Sequence, residues 1–595
     1  MCRIAGIISK GPVTAEMQVQ VKAMCEALRH GGPDDEGLYT DEEAGVVFGH
    51  RRLSILDLSR NGHQPMADTQ EKVWITFNGE IYNYLELKQA LAALGATFRS
   101  QTDTEVILQA YRYWGMASFS RLRGIFAFGL HDTEKSLTYL VRDSSGVKPL
   151  YYHAGPDGLS FASEVRALKK AGIAPAPDPN WKIRFLAYGH IPEPFTTLQG
   201  VCSLPKGEFL CWHHRKKTYE IHSYHVAGQP AVIRDAEEAQ ELIRSMLHSA
   251  VNRQLIADAP IGVFLSGGTD SSLITLLANQ QQQAQLKTIS IFFNEKAYDE
   301  RMYQNLVLKE IEGEKFAHLV RQADFEAFLP QIIGDMDMPT TDGINTWFIS
   351  KYAHEDGLKA VLSGIGADEL FGGYPSFNRI RHLKKLRQFP RQTFSAARFF
   401  TSDRYKKISF LTYNHPLADY LLLRGHYTPA DIASLLETSL LHVEDILFND
   451  KPLPNITRYD EADAAWFETN LYMQNQLLRD TDVMGMSHGL EVRVPFLDED
   501  FKRMAESIAP GIRFDMNQPK KLLIDSFSDI LPRAIWDRSK MGFTFPLQQW
   551  MREHREINDA ALYKSRKAKS VVADFKKNTM HWSKVFALYQ IQMHA

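Results

Sequence analysis

Cysteine is scarce in this chain. The four among 595 residues, Cys2, Cys25, Cys202 and Cys211, are spaced for neither a disulfide framework nor a zinc site, and their thiols are expected to stay reduced. No apolar run is long enough to cross a bilayer, and the opening Met1-Cys2-Arg3-Ile4-Ala5-Gly6 lacks a basic stretch followed by an apolar one. Neither a membrane span nor a secretory leader is therefore read, and the expected compartment is the cytoplasm. Basic charge is not in excess either: 68 Lys and Arg against 71 Asp and Glu leave a net charge of −3, with no global attraction to nucleic acid or membrane. The local basic stretches 379–407 and 564–577 read as solvated helix faces. There is no internal repeat or low-complexity tract. What remains is the composition of a soluble globular protein, 44% hydrophobic and 23% charged, at a length that suits two large domains.

The first two hundred residues alternate short β-rich runs (3–8, 46–50, 73–77, 125–130 and 137–141) with helical patterns, which predicts a layered α+β domain. Met17, Val21, Met24, Cys25 and Leu28 share one helix face, so Cys25 reads as core. Between Leu204 and Pro230 the sequence turns polar and basic, with turn formers at both ends, and the domain boundary is placed there: residues 2–215, then 230–595. A helix begins near Asp235, carrying Ala239, Leu242, Ile243, Met246, Leu247, Ala250 and Val251 at 3.6-residue spacing. Apolar strand candidates at 261–265, 288–293 and 360–362, each separated by helical sequence, predict a parallel α/β sheet. Beyond Tyr374 the chain reads as mainly helical.

Once Met1 is removed, Cys2 offers a soft nucleophile and an α-amine that can serve as its base in one residue. Hydrolysis of an amide also needs donors for the oxyanion, which Asn78 and the Gly79 backbone N–H can supply. Taken singly, Asn78-Gly79 suits a type I′ hairpin turn, Asp103 an N-cap ahead of 104–114, and Arg51-Arg52 a surface pair. Taken in order, Cys2-Arg3-Ile4-Ala5-Gly6-Ile7, Gly32-Pro33-Asp34, Arg52-Leu53-Ser54-Ile55, Asn78-Gly79-Glu80 and Thr102-Asp103 resemble the class II (Ntn-type) glutaminase domain of asparagine synthetases. The resemblance implies a glutamine site formed by Arg52, Leu53, Ser54, Ile55, Leu56, Asn78, Gly79, Glu80 and Asp103. In it Arg52 meets the substrate carboxylate, and Glu80 and Asp103 meet its ammonium.

The run 261–265 leads into Ser266-Gly267-Gly268-Thr269-Asp270-Ser271-Ser272 and then helical sequence. Glycines let backbone N–H groups face phosphate oxygens, hydroxyls add donors, the helix N-terminus favours an anion, and Asp270 can hold magnesium. The pattern resembles the PP-loop of ATP pyrophosphatases and lacks the lysine of a Walker A loop, which implies an AMP-forming reaction. Ser363-Gly364-Ile365-Gly366-Ala367-Asp368-Glu369-Leu370-Phe371-Gly372-Gly373 supplies the second half of the site in the same family. Asp270 and Asp368 would share the ion, since two carboxylates with triphosphate oxygens suit a hard cation. The resemblance further places Leu265 and Ile291 at the adenine or ribose, Ser363 and Gly364 near the α-phosphate, and Lys540 against phosphate charge. A free surface lysine is the alternative for Lys540. Ile365 and, in a segment that also matches, Asp482 and Arg493 are acceptor-side candidates, with structural ion pairing as the alternative for the last two.

The family's reaction, carried onto this chain, hydrolyses glutamine, channels ammonia, and aminates β-aspartyl-AMP made from aspartate and ATP. A homodimer is a family expectation. Three positions and two loops depart from the pattern: Gly31 stands where relatives usually have arginine, Thr269 where they have leucine, and Ile365 where an acidic residue is common, while Arg142-Asp143-Ser144-Ser145-Gly146 lacks their bulky pair and the loop 337–343 differs from its usual version. Isoleucine cannot accept a proton from attacking ammonia. An acceptor other than aspartate, in a secondary metabolite or on a cell surface, is therefore the principal alternative. A non-catalytic sensor is disfavoured by intact Cys2 and Asp270, and a phosphoribosyl-transferring glutaminase by the lack of a diphosphate-ribose loop.

Overall fold

The computed structural model describes residues 2–173, 176–224, 232–282, 285–400, 402–449 and 458–594. The N-terminal domain is built on strands β1 (Arg3–Ser9), β2 (Asp35–Asp41), β3 (Val46–Arg52), β4 (Met66–Ala67), β5 (Val73–Ile81) and β6 (Gly124–Asp132). Strands β7 (Leu137–Arg142), β8 (Tyr151–Gly155), β9 (Gly158–Ala162), β10 (Val201–Ser203), β11 (Glu208–His213) and β12 (Thr218–Ser223) complete it. They form two six-stranded antiparallel sheets, ordered β10-β8-β9-β1-β3-β2 and β12-β11-β7-β6-β5-β4.

Strand alternation explains how the sheets stack. In β1, Ile4 and Ile8 join Phe48, Phe161, Ala127, Leu140 and Trp212 in an apolar layer between the two sheets. Ala5 and Ile7 face the other way, onto the helix Ala15–Ala27. In β5, Val73, Ile75 and Phe77 pack outward on helices Tyr84–Ala93 and Asp103–Trp114. The result is four layers, helix, sheet, sheet, helix, in which Cys25 is core and burial pushes its thiol up to about 12. Because β12 pairs with β11 along Glu208–His213, this domain runs past residue 215, where the sequence placed its end. Residues 225–231, with the turn formers Gly228-Gln229-Pro230 and the start of the second domain at 230, lie outside the described residues.

The second domain starts with the helix Ala236–Gln254, capped by the Asp235 side chain, which accepts from Glu238 N. Its sheet is wholly parallel: β13 (Ile261–Phe264), β14 (Lys287–Phe292), β15 (Glu314–Leu319), β16 (Ala360–Leu362) and β17 (Glu491–Arg493), in the order β15-β14-β13-β16-β17. Strand order reverses between β13 and β16, and ligands of doubly wound sheets bind outside the carboxyl ends of strands at such a switch point. Among the described residues from Pro375 onward, β17 apart, the regular elements are helices, from Pro375–Leu386 to Trp582–Met593.

The candidate glutaminase and nucleotide sites

Cys2 continues the inward series of Ile4 and Ile8, and Arg3 the outward series of Ala5 and Ile7. The Cys2 thiol is buried, with Sγ 4.0 Å from the Leu53 carbonyl. Burial pushes its pKa up, while Arg52 lowers it and Glu80 raises it. Asn78 and Gly79 do not form a hairpin turn: they sit within β5, opposite Ala127 and Phe126. Gly79 has φ +152°, and a Cβ there would lie 2.1 Å from the Ile125 carbonyl, so only glycine fits. Asn78 is fully buried, yet neither Oδ1 nor Nδ2 has a hydrogen-bond partner. An unmatched buried amide costs on the order of 1–3 kcal/mol, so Asn78 is a group with unused hydrogen-bonding capacity beside Gly79.

Arg52 is buried and donates to the carbonyls of Leu56 (3.4 Å), Asp57 (2.5 Å) and Ser59 (2.9 Å), which curls the loop Leu53–Ser59 around its guanidinium. No carboxylate pairs with it among the described ion pairs, so its charge is left for a ligand. Ser54 N is held by Asp34 Oδ2 at 2.8 Å, and the Ile55 carbonyl accepts from Asp258 N and Ala259 N of the second domain. Thr102, not Asp103, caps the following helix. Asp103 is its first residue, and its Oδ2 accepts from Ile81 N at 2.9 Å. Burial raises Asp103 to about 6, against the pull of that backbone bond. Glu80, raised by burial and by Glu491, lies 3.5 Å from Arg493 Nη2.

In the second domain the loops after β13 and β16 meet: a Cβ on Gly364 would lie 2.8 Å from Asp270 Cβ and 2.9 Å from Ser271 N. Ser266 Oγ and Ser271 Oγ are 2.9 Å apart, and Gly268 N donates to Ser266 Oγ at 3.3 Å, so hydroxyls and amides form a cradle at the N-terminus of the helix Thr269–Gln282. Asp270 and Asp368 converge on one cation position, now taken by Lys520 Nζ, at 2.8 and 2.9 Å. Lys540 Nζ is 2.7 Å from the other oxygen of Asp368 and 3.0 Å from the Gly373 carbonyl, so it is not a free surface lysine. Burial works against ionisation of Asp368, but Lys520 and Lys540 outweigh it and hold the carboxyl down to about 2. Two carboxylates facing one cation position, with room for phosphate oxygens, fit magnesium; among the described residues no third His, Cys, Asp or Glu joins them.

These groups open on a cavity of about 1050 Å³, walled by Ser266, Gly268, Asp270, Ser271, Ser363, Gly364, Ile365, Asp368 and Lys540, among others. Leu265, Gly267, Ser272 and Ile291 stand outside its wall. Gly267 and Ile291 give their carbonyls to Arg538 and Gln304 instead. Lys520 carried no sequence signal: it lies in a polar run, Gln518-Pro519-Lys520-Lys521, and folding brings it to Asp270 from 250 positions away.

Of the three acceptor-side candidates Ile365 lines the cavity, and the other two lie elsewhere. Asp482 is buried between Arg3 Nη1 (2.6 Å) and Lys148 Nζ (2.5 Å) of the first domain, and these two overcome the effect of burial and hold its carboxyl below the usual range. Arg493 pairs with Glu491 at 2.5 Å and donates to the carbonyls of Gln254 and Ile256. Both are structural ion pairs at the domain interface, because each is enclosed by counter-charges of its own chain and neither reaches the cavity. Gly31 makes room for this network: a Cβ there would lie 2.8 Å from Arg3 Cγ.

Residues 1–225 match the glutamine amidotransferase domain family, and residues 242–587 match the asparagine synthase family. Asparagine synthetase (glutamine-hydrolyzing) 1 of Bacillus subtilis is 31% identical over 581 residues, which cover 94% of this chain and 89% of that one. A putative asparagine synthetase (glutamine-hydrolyzing) of Mycobacterium tuberculosis is 30% identical, covering 91% and 86%. Amidase chry2 of Gibberella zeae is 26% identical, covering 92% and 90%. With a glutamine amidotransferase domain on its antiparallel sheets and a synthetase domain on its parallel sheet, this chain belongs to the asparagine synthase family of ATP-dependent ligases.

Proposed function

We propose that the chain hydrolyses glutamine at Cys2 and uses the ammonia to amidate a carboxylate that ATP has activated as an adenylate. The observation that carries this reading is an apolar cluster between the two sites. It runs from Leu53, whose carbonyl faces the Cys2 thiol, through Ile55, Tyr82, Val147, Met473 and Leu478 to Ile365 in the cavity wall. Ammonia is uncharged and crosses such a seam without the desolvation penalty an ammonium ion would meet.

At the first site the Cys2 thiolate adds to the side-chain amide of glutamine, with the freed α-amine as base. Asn78 Nδ2 and Gly79 N–H hold the oxyanion, ammonia leaves, and water cleaves the thioester to glutamate. Arg52 holds the substrate carboxylate, and Glu80 and Asp103 hold its ammonium. At the second site an acceptor oxygen attacks the α-phosphorus and pyrophosphate leaves. Lys540 and Lys520 take up negative charge on the phosphates, and Ser266, Gly268 and Ser271 position them. Asp270 and Asp368 would hold magnesium, which when bound neutralises phosphate charge. Nitrogen then attacks the acyl carbon and AMP departs.

The names of the two bacterial relatives, about 30% identical over most of the chain, support aspartate as acceptor, giving asparagine. A different carboxylate is favoured by one observation, the apolar Ile365 in the cavity wall, where a proton-accepting side chain would serve the amination. The test of the reaction is to measure glutamate and AMP release by the intact enzyme and by Cys2→Ala. The variant should lose glutamine-dependent turnover and keep ammonia-dependent turnover. Glutamate release undiminished in Cys2→Ala would refute the reading.

A further inference from the structure

Charge is unevenly distributed along this chain. Residues 379–407 hold ten Lys and Arg against one acid, Asp403, a local charge of +9 in a chain whose total is −3, so the remaining residues sum to −12. The stretch is not the single solvated helix face that its sequence predicts. It runs through the helix Pro375–Leu386, the 3₁₀ segment Arg391–Phe399 and the short helix Asp403–Lys406 to the start of the 3₁₀ segment Lys407–Thr412. Ile380, Leu383 and Ala397 are buried, as are Phe410 and Leu411 just beyond. Arg387 pairs with Asp419 and donates to the carbonyls of Leu411 (3.0 Å) and Tyr413 (2.9 Å), which fastens the stretch to the helical part of the domain. Of the described residues 388–405, all but Phe394, Ala397 and Asp403 are exposed, so this part projects as a lobe.

Three of these cations have partners in the chain: Arg381 pairs with Glu461, Arg387 with Asp419 and Lys406 with Asp431. Arg379, Lys384, Lys385, Arg391, Arg398 and Arg404 are exposed and have no ion pair among the described residues. Four large rings stand out among them: Phe399 is 76% exposed, Phe389 59%, Tyr405 54% and Phe400 50%. The Arg398 guanidinium lies 4.9 Å from the centre of the Phe399 ring, and Phe400 and Tyr405 meet edge to face at 6.1 Å. We propose that this lobe docks on an anionic membrane surface, its rings entering the boundary between headgroups and acyl chains and its free cations meeting headgroup phosphates. The rings lose their contact with water there, and the cations restrict the docking to negatively charged bilayers. Attraction to such a surface decays over a screening length of about 8 Å at physiological salt, so a projecting basic lobe feels it while the rest of the molecule, net negative, stays clear. Ring geometry favours a bilayer over nucleic acid. Bases stack on open ring faces along a groove that follows the backbone, whereas Phe400 and Tyr405 close on each other as an apolar knob.

The test is co-sedimentation of the full chain with phosphatidylcholine vesicles, with and without about 30% phosphatidylglycerol, at about 0.1 M salt. The protein should bind the anionic vesicles, bind them less as salt rises, and leave phosphatidylcholine vesicles unbound. A cation near such a surface contributes about fivefold in partitioning, so Arg391→Gln, Arg398→Gln and Arg404→Gln together should lower the partition coefficient roughly a hundredfold. Phe399→Ser with Phe400→Ser should lower it about tenfold or more. Near-UV circular dichroism of both variants should match the wild type, because the replaced side chains are exposed. No sedimentation with anionic vesicles, equal sedimentation with neutral ones, or a partition coefficient that the phenylalanine variant leaves unmoved overturns the proposal. A single-stranded oligonucleotide that binds more tightly and strips the protein from vesicles would make the lobe a nucleic-acid surface. A dimer in sedimentation equilibrium that the phenylalanine variant dissociates would make it an interface between copies of the chain. Either result also overturns the proposal.

Discussion

Replacing Asp482 by asparagine tests whether this residue joins the two domains or serves the acceptor. The carboxylate is 1% exposed, Arg3 and Lys148 are 0% and 1% exposed, and the contacts are 2.6 and 2.5 Å. Asparagine keeps the shape and removes the charge, which leaves Lys148 without its counter-ion and Arg3 with only Glu164, 2.8 Å away. Breaking a buried pair in this way costs about 3–5 kcal/mol, because the remaining cations cannot regain the hydration they lost on folding. With a urea dependence of about 3 kcal/mol per molar or steeper for a chain this long, the unfolding midpoint should fall by roughly 1 M. The sign with pH follows. The folded carboxyl lies below its unfolded value, so its contribution is full at neutral pH and is lost as pH falls through the depressed value. Urea titration at pH 7, followed by near-UV circular dichroism, measures the loss. A midpoint within roughly 0.2 M of the wild type, together with a raised acceptor KM, would refute the interface role.

Three further outcomes are expected. Asn78→Ala should lower kcat for glutamine hydrolysis by about 10²–10³-fold at unchanged ammonia-dependent synthesis, read by glutamate release against AMP release. With Asp103 raised to about 6, its ionised fraction falls roughly tenfold between pH 7 and pH 5, so kcat/KM for glutamine should fall about as much over that interval; a flat profile would free the substrate ammonium from Asp103. Lys520→Met should abolish pyrophosphate exchange and leave glutamine hydrolysis intact, and exchange at wild-type rate would remove Lys520 from the nucleotide site.

The strands that could be read from the sequence are those rich in apolar and β-branched residues. Of the parallel sheet, β13, β14 and β16 stand out because both their faces are covered and near-continuous hydrophobic runs result. β15, Glu314–Leu319, is an edge strand with polar, partly exposed side chains. β17 consists of Glu491, Val492 and Arg493, and charged residues are buried in a strand only when counter-charges from elsewhere in the chain enclose them. Neither pattern is visible locally. The same reason explains Asn78-Gly79, whose local chemistry is that of a turn, although register with Phe126 and Ala127 keeps it extended.

The sequence by itself pointed to the chemistry proposed for each site, since a cysteine at position two, an Asn-Gly pair and a Ser-Gly-Gly loop ahead of a helix are each patterns of adjacent residues. Tertiary structure alone decided which charges are spent and which are free. Asp482 and Arg493 are closed into ion pairs by Arg3, Lys148, Glu80 and Glu491, whereas Arg52 has no carboxylate partner among the described residues. Counter-charges come from residues hundreds of positions apart, and Coulomb energy depends on distance in space, which a linear pattern does not contain.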